Sequence, residues 1–485
     1  LSLTPGHDSP RLQKKLLVGI EAHSIDYVPR AERHGSLADQ GTFWFLGNFN
    51  FGTLAIGFIG PSMGLSLGWT ILAEAIGILI GTMFQAFHAS QGAELGLPQM
   101  MQSRAQFGYR GVVVPLFASF CTFVGFNIVN TILIADGLYA LVGWNKVVVA
   151  VLASAFGAML AIWGYDWLHR AFKILFWASM PLFAGLTAAI LLGRIGHAVH
   201  HDGGGFVAVA FFTELAAGAS YNITYAVFVS DYTRYLPADT GRARIIMMVF
   251  LGSSISAIWL IAVGAWLAVH LGMADTLTDL LQAGQAVAPG FGILISAVSI
   301  AALLGVLGMN AYSAMLTVVT GIDAFRKLRP TRALRIWCIT GVMALSAVIA
   351  IVFGGDVTAA MNTYLVVMLY LLVPWTAINL TDYFFVRCGH YAITHLFTPR
   401  GIYGAWGGHG LCAYAIGFAA SVPFCVMPGV FIGPVARALG GVDIGWLVGL
   451  VTTVPAYLYL MRNYDAAAES AAISASGITL EGSAA

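Results

Sequence analysis

Residues 43–61 read FWFLGNFNFGTLAIGFIGP. The run is apolar enough for lipid, yet it carries Asn48 and Asn50 at its middle, among Gly47, Gly52, Gly57 and Gly60. An unpaired amide in hydrocarbon is costly, so such residues face a cavity or a partner. Glycine permits non-helical backbone, and the two features together predict a membrane helix that unwinds at half depth. Close helix packing through small residues is the alternative reading of the glycines. A second stretch of the same kind, ELAAGASYNITYAVFVSDYTRY at 214–235, places Ser220, Tyr221, Asn222 and Thr224 after Gly218.

Apolar runs long enough to cross a bilayer, which takes about 20 residues as helix, recur twelve times. They fall near 41–64, 65–89, 112–143, 147–164, 174–193, 206–236, 244–271, 291–322, 334–354, 361–387, 410–431 and 445–462. The runs are continuous rather than alternating, which excludes a β-barrel, and lipid tolerates only closed barrels or helices. With the N-terminus inside, 20 of the 23 Lys and Arg fall in inner loops and only Lys146, Arg194 and Arg437 outside. That is the asymmetry the positive-inside rule demands, and an odd miscount of helices would scramble it.

Composition agrees. Of 485 residues, 59% are hydrophobic and 9% charged, against about a quarter charged in a soluble domain. A net charge of +1 gives no basic patch for nucleic acid. The five cysteines lie mostly within apolar runs and are read as packing residues. Residues 1–38 lack the apolar core of a signal peptide and are expected to stay in the cytoplasm. Residues 463–485, rich in Ala and Ser, read as a disordered tail. The outer loop with His197, His200, His201 and Asp202 carries metal-ligand types, but no ordered element sets their geometry, so it is read as solvated and no metal is expected.

The chain divides into two halves, residues 39–193 (helices 1–5) and 206–387 (helices 6–10), with helices 11 and 12 appended at 388–462. Each half opens on a glycine-interrupted helix and carries an asparagine deep in its third. Helix 3 reads GFNIVNTILIADG at 125–137, where Phe126 and Asn130 share a face. Helix 8 reads GVLGMNAYSAML at 305–316, with Asn310 and Ser313 as the corresponding pair. Five helices reverse the topology of a second copy, so the halves fit an inverted repeat. The polar set is amide and hydroxyl with aromatics between: Asn48, Phe49, Phe126, Asn130, Ser220, Tyr221, Asn222, Asn310 and Ser313. It holds no catalytic triad, metal-ligand spacing or phosphate loop. An amide offers one acceptor and two donors, the complement of a nucleobase or lactam edge, and aromatic rings stack on planar solutes.

With these motifs in view, the chain resembles the nucleobase-cation symport family, in its purine and cytosine permease branch, which also relates it to sodium-hydantoin transporters. The resemblance rests on IEAHSIDYVPRAER (20–33), FWFLGNFNFGTLAIG, LPQMMQSRAQFGYRG (97–111), GFNIVNTILIADGL, SYNITYAVFVSDYTRYLP, LGMNAYSAMLTVV and PWTAINLTDYFFVR (374–387). It implies an all-α membrane protein of the LeuT type, twelve transmembrane helices in a five-plus-five inverted repeat plus two. Its implied activity is symport of a nucleobase or related heterocycle with Na+ or H+ by alternating access. The family's helix 3 aromatic and amide match Phe126 and Asn130, and its helix 8 asparagine matches Asn310. The helix 6 aromatic of sodium-hydantoin members falls at Asn222, beside Tyr221, leaving open which ring stacks. The paired hydroxyls that help bind sodium fall at Gly308 and Met309, and their loss tips the expectation toward protons.

A proton needs a titratable group, and the intramembrane carboxylates are Glu74, Asp136 and Glu214, all toward the outer half. Asp231 and Arg104, at the inner ends, are read as a gate or a structural ion pair. Hydantoin, allantoin, uracil or a vitamin ring such as pyridoxine or thiamine remain alternative solutes, and an integral membrane enzyme is the rival class.

Overall fold

A computed structural model describes residues 21, 23–195, 205–272, 276–352, 357–427 and 429–482. The loop histidines His197, His200 and His201, with Asp202, lie outside the described residues. Helix 1 runs Leu37–Gly47, breaks, and resumes as Phe51–Ile56 and Ile59–Ser62, bent by 48° overall. The break is built by Asn50, whose backbone is extended (φ −147°). Its amide nitrogen donates to the Gly47 carbonyl (3.1 Å) and its oxygen accepts from the Gly52 N–H (3.0 Å). Short polar side chains that satisfy local backbone groups compete with the helix in this way.

Helix 2 spans Leu67–Leu95, helix 3 Val113–Val142, helix 4 Lys146–Trp163 and helix 5 Tyr165–Leu191. Helix 6 begins at Ala208–Ile223, tightens to a 3-10 turn over Thr224–Val227, and finishes as Val229–Thr233. Its interruption therefore lies beyond Gly218, which sits in regular helix. The Thr224 hydroxyl donates to the Tyr221 carbonyl (2.6 Å) at the point where the turn tightens. Helices 7 to 10 are Arg242–Leu271, Phe291–Phe325, Arg332–Val352 and Val357–Thr381, the last prolonged by a π turn over Asp382–Val386. Helix 11 (Gly408–Ser421) and helix 12 (Gly445–Leu460) are shorter. Among the described residues eight helices are long and apolar enough to cross a membrane unbroken, and bent helix 1 makes a ninth.

The two halves pack as copies. Helix 2 against helix 6 is matched by helix 7 against helix 1, and helix 4 against helix 8 by helix 9 against helix 3. Helix 5 touches helices 1 and 8 as helix 10 touches helices 6 and 3. Exchanging helices 1–5 with helices 6–10, in order, turns one set of contacts into the other, the signature of an inverted repeat. Helices 11 and 12 pack on each other and on helix 10, outside both repeats.

Three sequence expectations change. Helix 5 starts nine residues earlier than expected, after Gly164 (φ +90°). The expected helix 11 stops at Ser421, and a two-stranded hairpin, Val426–Met427 with Phe431–Ile432, replaces its end, since Pro423 and Gly429 (φ +73°) do not continue a helix. Residues 466–482 form a helix instead of a disordered tail. A single acid anchors it: Glu469 is buried and accepts from Arg387 Nε (2.8 Å), the Tyr403 hydroxyl (2.5 Å) and the Tyr464 hydroxyl (2.7 Å). Composition alone does not reveal such an anchor. An amphipathic helix, Thr276–Val287, precedes helix 8 and was not expected.

Candidate functional site

Where the two broken helices meet helices 3 and 8 there is a cavity lined by Asn50, Gly52, Phe126, Asn130, Tyr221, Tyr225, Leu303, Val306 and Asn310. Its free volume is about 10 Å³, room for one water molecule. Helical spacing assembles each wall. Phe126 and Asn130 are four apart on helix 3, Tyr221 and Tyr225 four apart on helix 6, and Leu303, Val306 and Asn310 form one stripe of helix 8. The Phe126 ring meets Tyr221 at 6.0 Å (66°) and Tyr364 of helix 10 at 5.3 Å (86°), both edge to face. Helices 1 and 6 are tied on both sides of the cavity. The Thr53 and Tyr221 hydroxyls share a hydrogen bond (2.7 Å), and the Tyr225 hydroxyl donates to the Gly47 carbonyl (3.0 Å).

Asn130 and Asn310 are 4% and 2% exposed, and neither side-chain amide has a hydrogen-bond partner among the described residues. Buried amides are ordinarily paired, so these two leave donors and acceptors available to whatever enters the cavity. Asn50, by contrast, spends both amide atoms on the helix 1 break.

Of the nine residues expected at the site, the structure brings Phe126, Asn130, Tyr221 and Asn310 to the cavity and places the other five elsewhere. Asn48 donates to Asn222 Oδ1 (3.1 Å) and to the Ser253 carbonyl (3.0 Å), and Asn222 donates to Thr82 (2.6 Å). These two amides cross-link helices 1, 2, 6 and 7. Phe49 points into an aromatic cluster with Phe45, Phe183 and Trp259. Ser220 donates to the Leu365 carbonyl, and Ser313 lies beside Asp231 and Tyr232. Asn50, Gly52, Tyr225, Leu303 and Val306 complete the cavity and lie outside the nine expected residues, although the spacing that joins Phe126 to Asn130 also leads from Tyr221 to Tyr225 and from Asn310 back to Val306 and Leu303. Gly308 packs on helix 4, where an added Cβ would lie 2.9 Å from Leu160. The Met309 carbonyl accepts from the Tyr232 hydroxyl (2.8 Å).

The charged candidates separate. Asp136 is one-third exposed and paired with Lys146 (2.7 Å) at the helix end, so it is no buried acid. Arg104 pairs with Asp323 (3.0 Å) and covers the Tyr109 ring, whereas Asp231 accepts from the Gln99 backbone N–H (2.9 Å). The expected Arg104–Asp231 pair does not form. Glu74 and Glu214 are both fully buried, with their carboxyl groups in contact.

The end of the bundle nearest residue 21 is closed by a further acid. Glu21 accepts from the Tyr235 hydroxyl, from Tyr312 (2.8 Å), from Arg335 (3.0 Å) and from the Tyr165 backbone N–H (3.1 Å), with Arg234 at 3.4 Å. Burial alone would raise this carboxyl, but Arg335 and Arg234 outweigh it and hold it below the ordinary carboxylate range. The segment before helix 1 is thereby locked onto helices 5, 6, 8 and 9.

Two five-helix halves of opposite topology, two broken first helices and a closed cavity between them define a multi-pass secondary transporter of the inverted-repeat class. The family model described as "Permease for cytosine/purines, uracil, thiamine, allantoin" matches residues 27–449. The chain belongs to that permease family. It is 34% identical over 450 residues to a putative purine-cytosine permease, YxlA, of Bacillus subtilis, covering 91% of this chain and 96% of that one. Identity to the purine-cytosine permease fcyB of Emericella nidulans is 24% over 473 residues, covering 91% and 88%. Among solved structures, Mhp1, a nucleobase-cation-symport-1 family transporter closed around bromovinylhydantoin, superposes with a TM-score of 0.71 at 18% identity, covering 94% of this chain and all of that one. Its inward-facing form gives 0.67.

Proposed function

We infer that the protein imports a nucleobase or related planar heterocycle of the cytosine or purine type across the plasma membrane, with its N-terminus in the cytoplasm and a proton as coupling ion. The observation that carries this reading is the pair of unpartnered amides, Asn130 and Asn310, facing one cavity beside the Phe126 and Tyr221 rings. Two amides present donors and acceptors suited to the edge of a flat ring, and the rings supply faces for stacking. The names of the relatives agree with such a solute. The cavity is too small for a heterocycle as it stands, so the structure corresponds to a closed form from which helices 1 and 6 must part. Protons are favoured because Gly308 and Met309 bring no side-chain oxygen for sodium, while the buried acids Glu74 and Glu214 lie inside the membrane-spanning helices 2 and 6.

The test is uptake of labelled cytosine, adenine and hypoxanthine into proteoliposomes, with allantoin, uracil, hydantoin and pyridoxine as competitors. Accumulation driven by an imposed pH gradient, persisting when choline replaces sodium and abolished by a protonophore, is expected. Strict sodium dependence with no protonophore effect at clamped potential would replace the proton with sodium. Substrate conversion without accumulation would replace the transporter with an enzyme.

A further inference from the structure

Resting on the transport reading, we propose that Glu74 and Glu214 together form the coupling-proton site, a carboxyl–carboxylate pair holding one proton between helix 2 and the first arm of helix 6.

The site is built rather than incidental. Glu74 and Glu214 are 1% and 0% exposed. Two glycines on different helices make room for their carboxyl groups. A Cβ at Gly218 would lie 2.6 Å from Glu74 Oε1, and one at Gly60 would lie 2.7 Å from Thr70 Oγ1 and 3.2 Å from Glu214 Oε2. Glu214 Oε2 accepts from the Gly60 backbone N–H (2.6 Å), at the end of the second arm of helix 1. Glu214 Oε1 and both Glu74 oxygens have no donor among the described residues. Each acid is the other's charged neighbour, and the Tyr221 phenol is the remaining titratable group that feels Glu74. Among the described residues, no Lys, Arg or His belongs to either set of neighbours.

Two carboxylates in contact in a low-dielectric layer cannot both carry charge. The pair as seen therefore needs a positive ligand. Gly60 N–H points at the site, and a divalent metal ion would have to sit beside that donor with two carboxylates as its acidic ligands, whereas calcium and magnesium take six or more oxygens. No group of three or more His, Cys, Asp or Glu side chains that could hold a metal occurs among the described residues. A proton needs only one oxygen from each acid, the arrangement present.

The position explains how proton binding reaches the cavity. Glu214, Gly218 and Tyr221 lie at i, i+4 and i+7 on one face of helix 6, and Tyr221 lines the cavity and is bonded to Thr53 of helix 1. With the proton bound, the pair draws helix 2, helix 6 and the second arm of helix 1 together, the closed arrangement observed. When the proton leaves, two adjacent carboxylates repel and this side of the bundle loosens. Substrate and proton thus favour the same closed packing, which is what symport requires.

Wild-type protein, E74Q, E214Q and, as a control, D136N are compared in proteoliposomes for exchange of labelled cytosine and for accumulation under an imposed pH gradient. Both glutamate variants are expected to retain measurable exchange while accumulation falls at least tenfold and loses its pH dependence; D136N should follow wild type. Accumulation at the wild-type level in both glutamate variants would overturn the proposal. Absence of cytosine exchange in wild type would instead count against the substrate reading alone. A second arm needs no transport: infrared difference spectra of purified protein should show the carbonyl stretch of a protonated carboxylic acid at neutral pH, altered in E74Q and E214Q but not in D136N. Its absence from wild type, or its persistence unchanged in both variants, would show that the pair holds no proton. Sodium binding that is present in wild type and lost in both variants would also overturn it.

Discussion

Asn130 of helix 3 and Asn310 of helix 8 occupy equivalent helices of the two repeats and face the same cavity, each with its amide unpartnered among the described residues. An inverted repeat thus brings two amides to one cavity from opposite directions, and in the proposed function a flat solute between them would be read along two edges.

Replacing Asn130 by alanine should weaken cytosine binding by about 1–3 kcal/mol, roughly 5- to 150-fold, because a hydrogen bond to the solute is lost. Folding should be spared, since the amide supports no other described residue. Unchanged affinity by calorimetry or competition would remove helix 3 from the recognition surface. Asn310→Ala should instead reorder affinities among cytosine, adenine and hypoxanthine, whose edges differ in donors and acceptors.

Phe126→Ala should weaken all planar ligands by similar factors, about 0.5–1.5 kcal/mol beyond the area lost. Stacking on a ring face is insensitive to edge substituents. A competition series that changes order in this variant, as in Asn310→Ala, would contradict the division between face and edge.

Gly218→Ala should lower thermal stability and uptake, because its Cβ would fall 2.6 Å from the Glu74 carboxyl. Shortening Glu74 to alanine in the same chain should recover the melting temperature but not gradient-driven accumulation. Full stability in the single variant would mean that helices 2 and 6 are less closely fitted than observed.

Glu21→Gln should loosen the lock on helices 5, 6, 8 and 9, leaving Arg335 and Arg234 without their counter-charge at a cost of about 3 kcal/mol. Cysteine accessibility from the N-terminal side should rise. Because the folded-state value of Glu21 is depressed, its contribution is present above the ordinary glutamate value, about 4.3, and is lost only as pH falls through the lower folded value. The lock therefore holds across neutral pH.

His23 behaves in the opposite sense. Its hydrogen bond to Asp26 (2.5 Å) and contact with Glu32 (2.8 Å) raise its value against the lowering by burial. The stability it adds is full below about 6.5 and fades as pH rises through the folded value. The difference in melting temperature between wild type and His23→Asn should accordingly shrink from pH 6 to pH 9, and a constant difference would show that the imidazole contributes by packing alone.

The sequence by itself determined the succession of apolar helices, the broken first helix and the two-half plan, and it pointed to Phe126, Asn130, Tyr221 and Asn310. Hydrocarbon forces these features into local composition: a span must be a continuous apolar run, and a polar residue inside one stands out. Whether an intramembrane amide is available is another matter. Asn48, Asn50 and Asn222 look like Asn130 and Asn310 in sequence, but the amide nitrogens of the first three are spent on each other, on backbone and on Thr82, and of their amide oxygens only Asn48 Oδ1 lacks a donor among the described residues. The same holds for the acids. Asp136 ends beside Lys146, while Glu74 and Glu214, 140 positions apart, end in contact. Only the tertiary structure decided these outcomes, because a hydrogen bond or an ion pair depends on which helix faces rotate toward one another, and that rotation is set by packing between segments far apart in the chain.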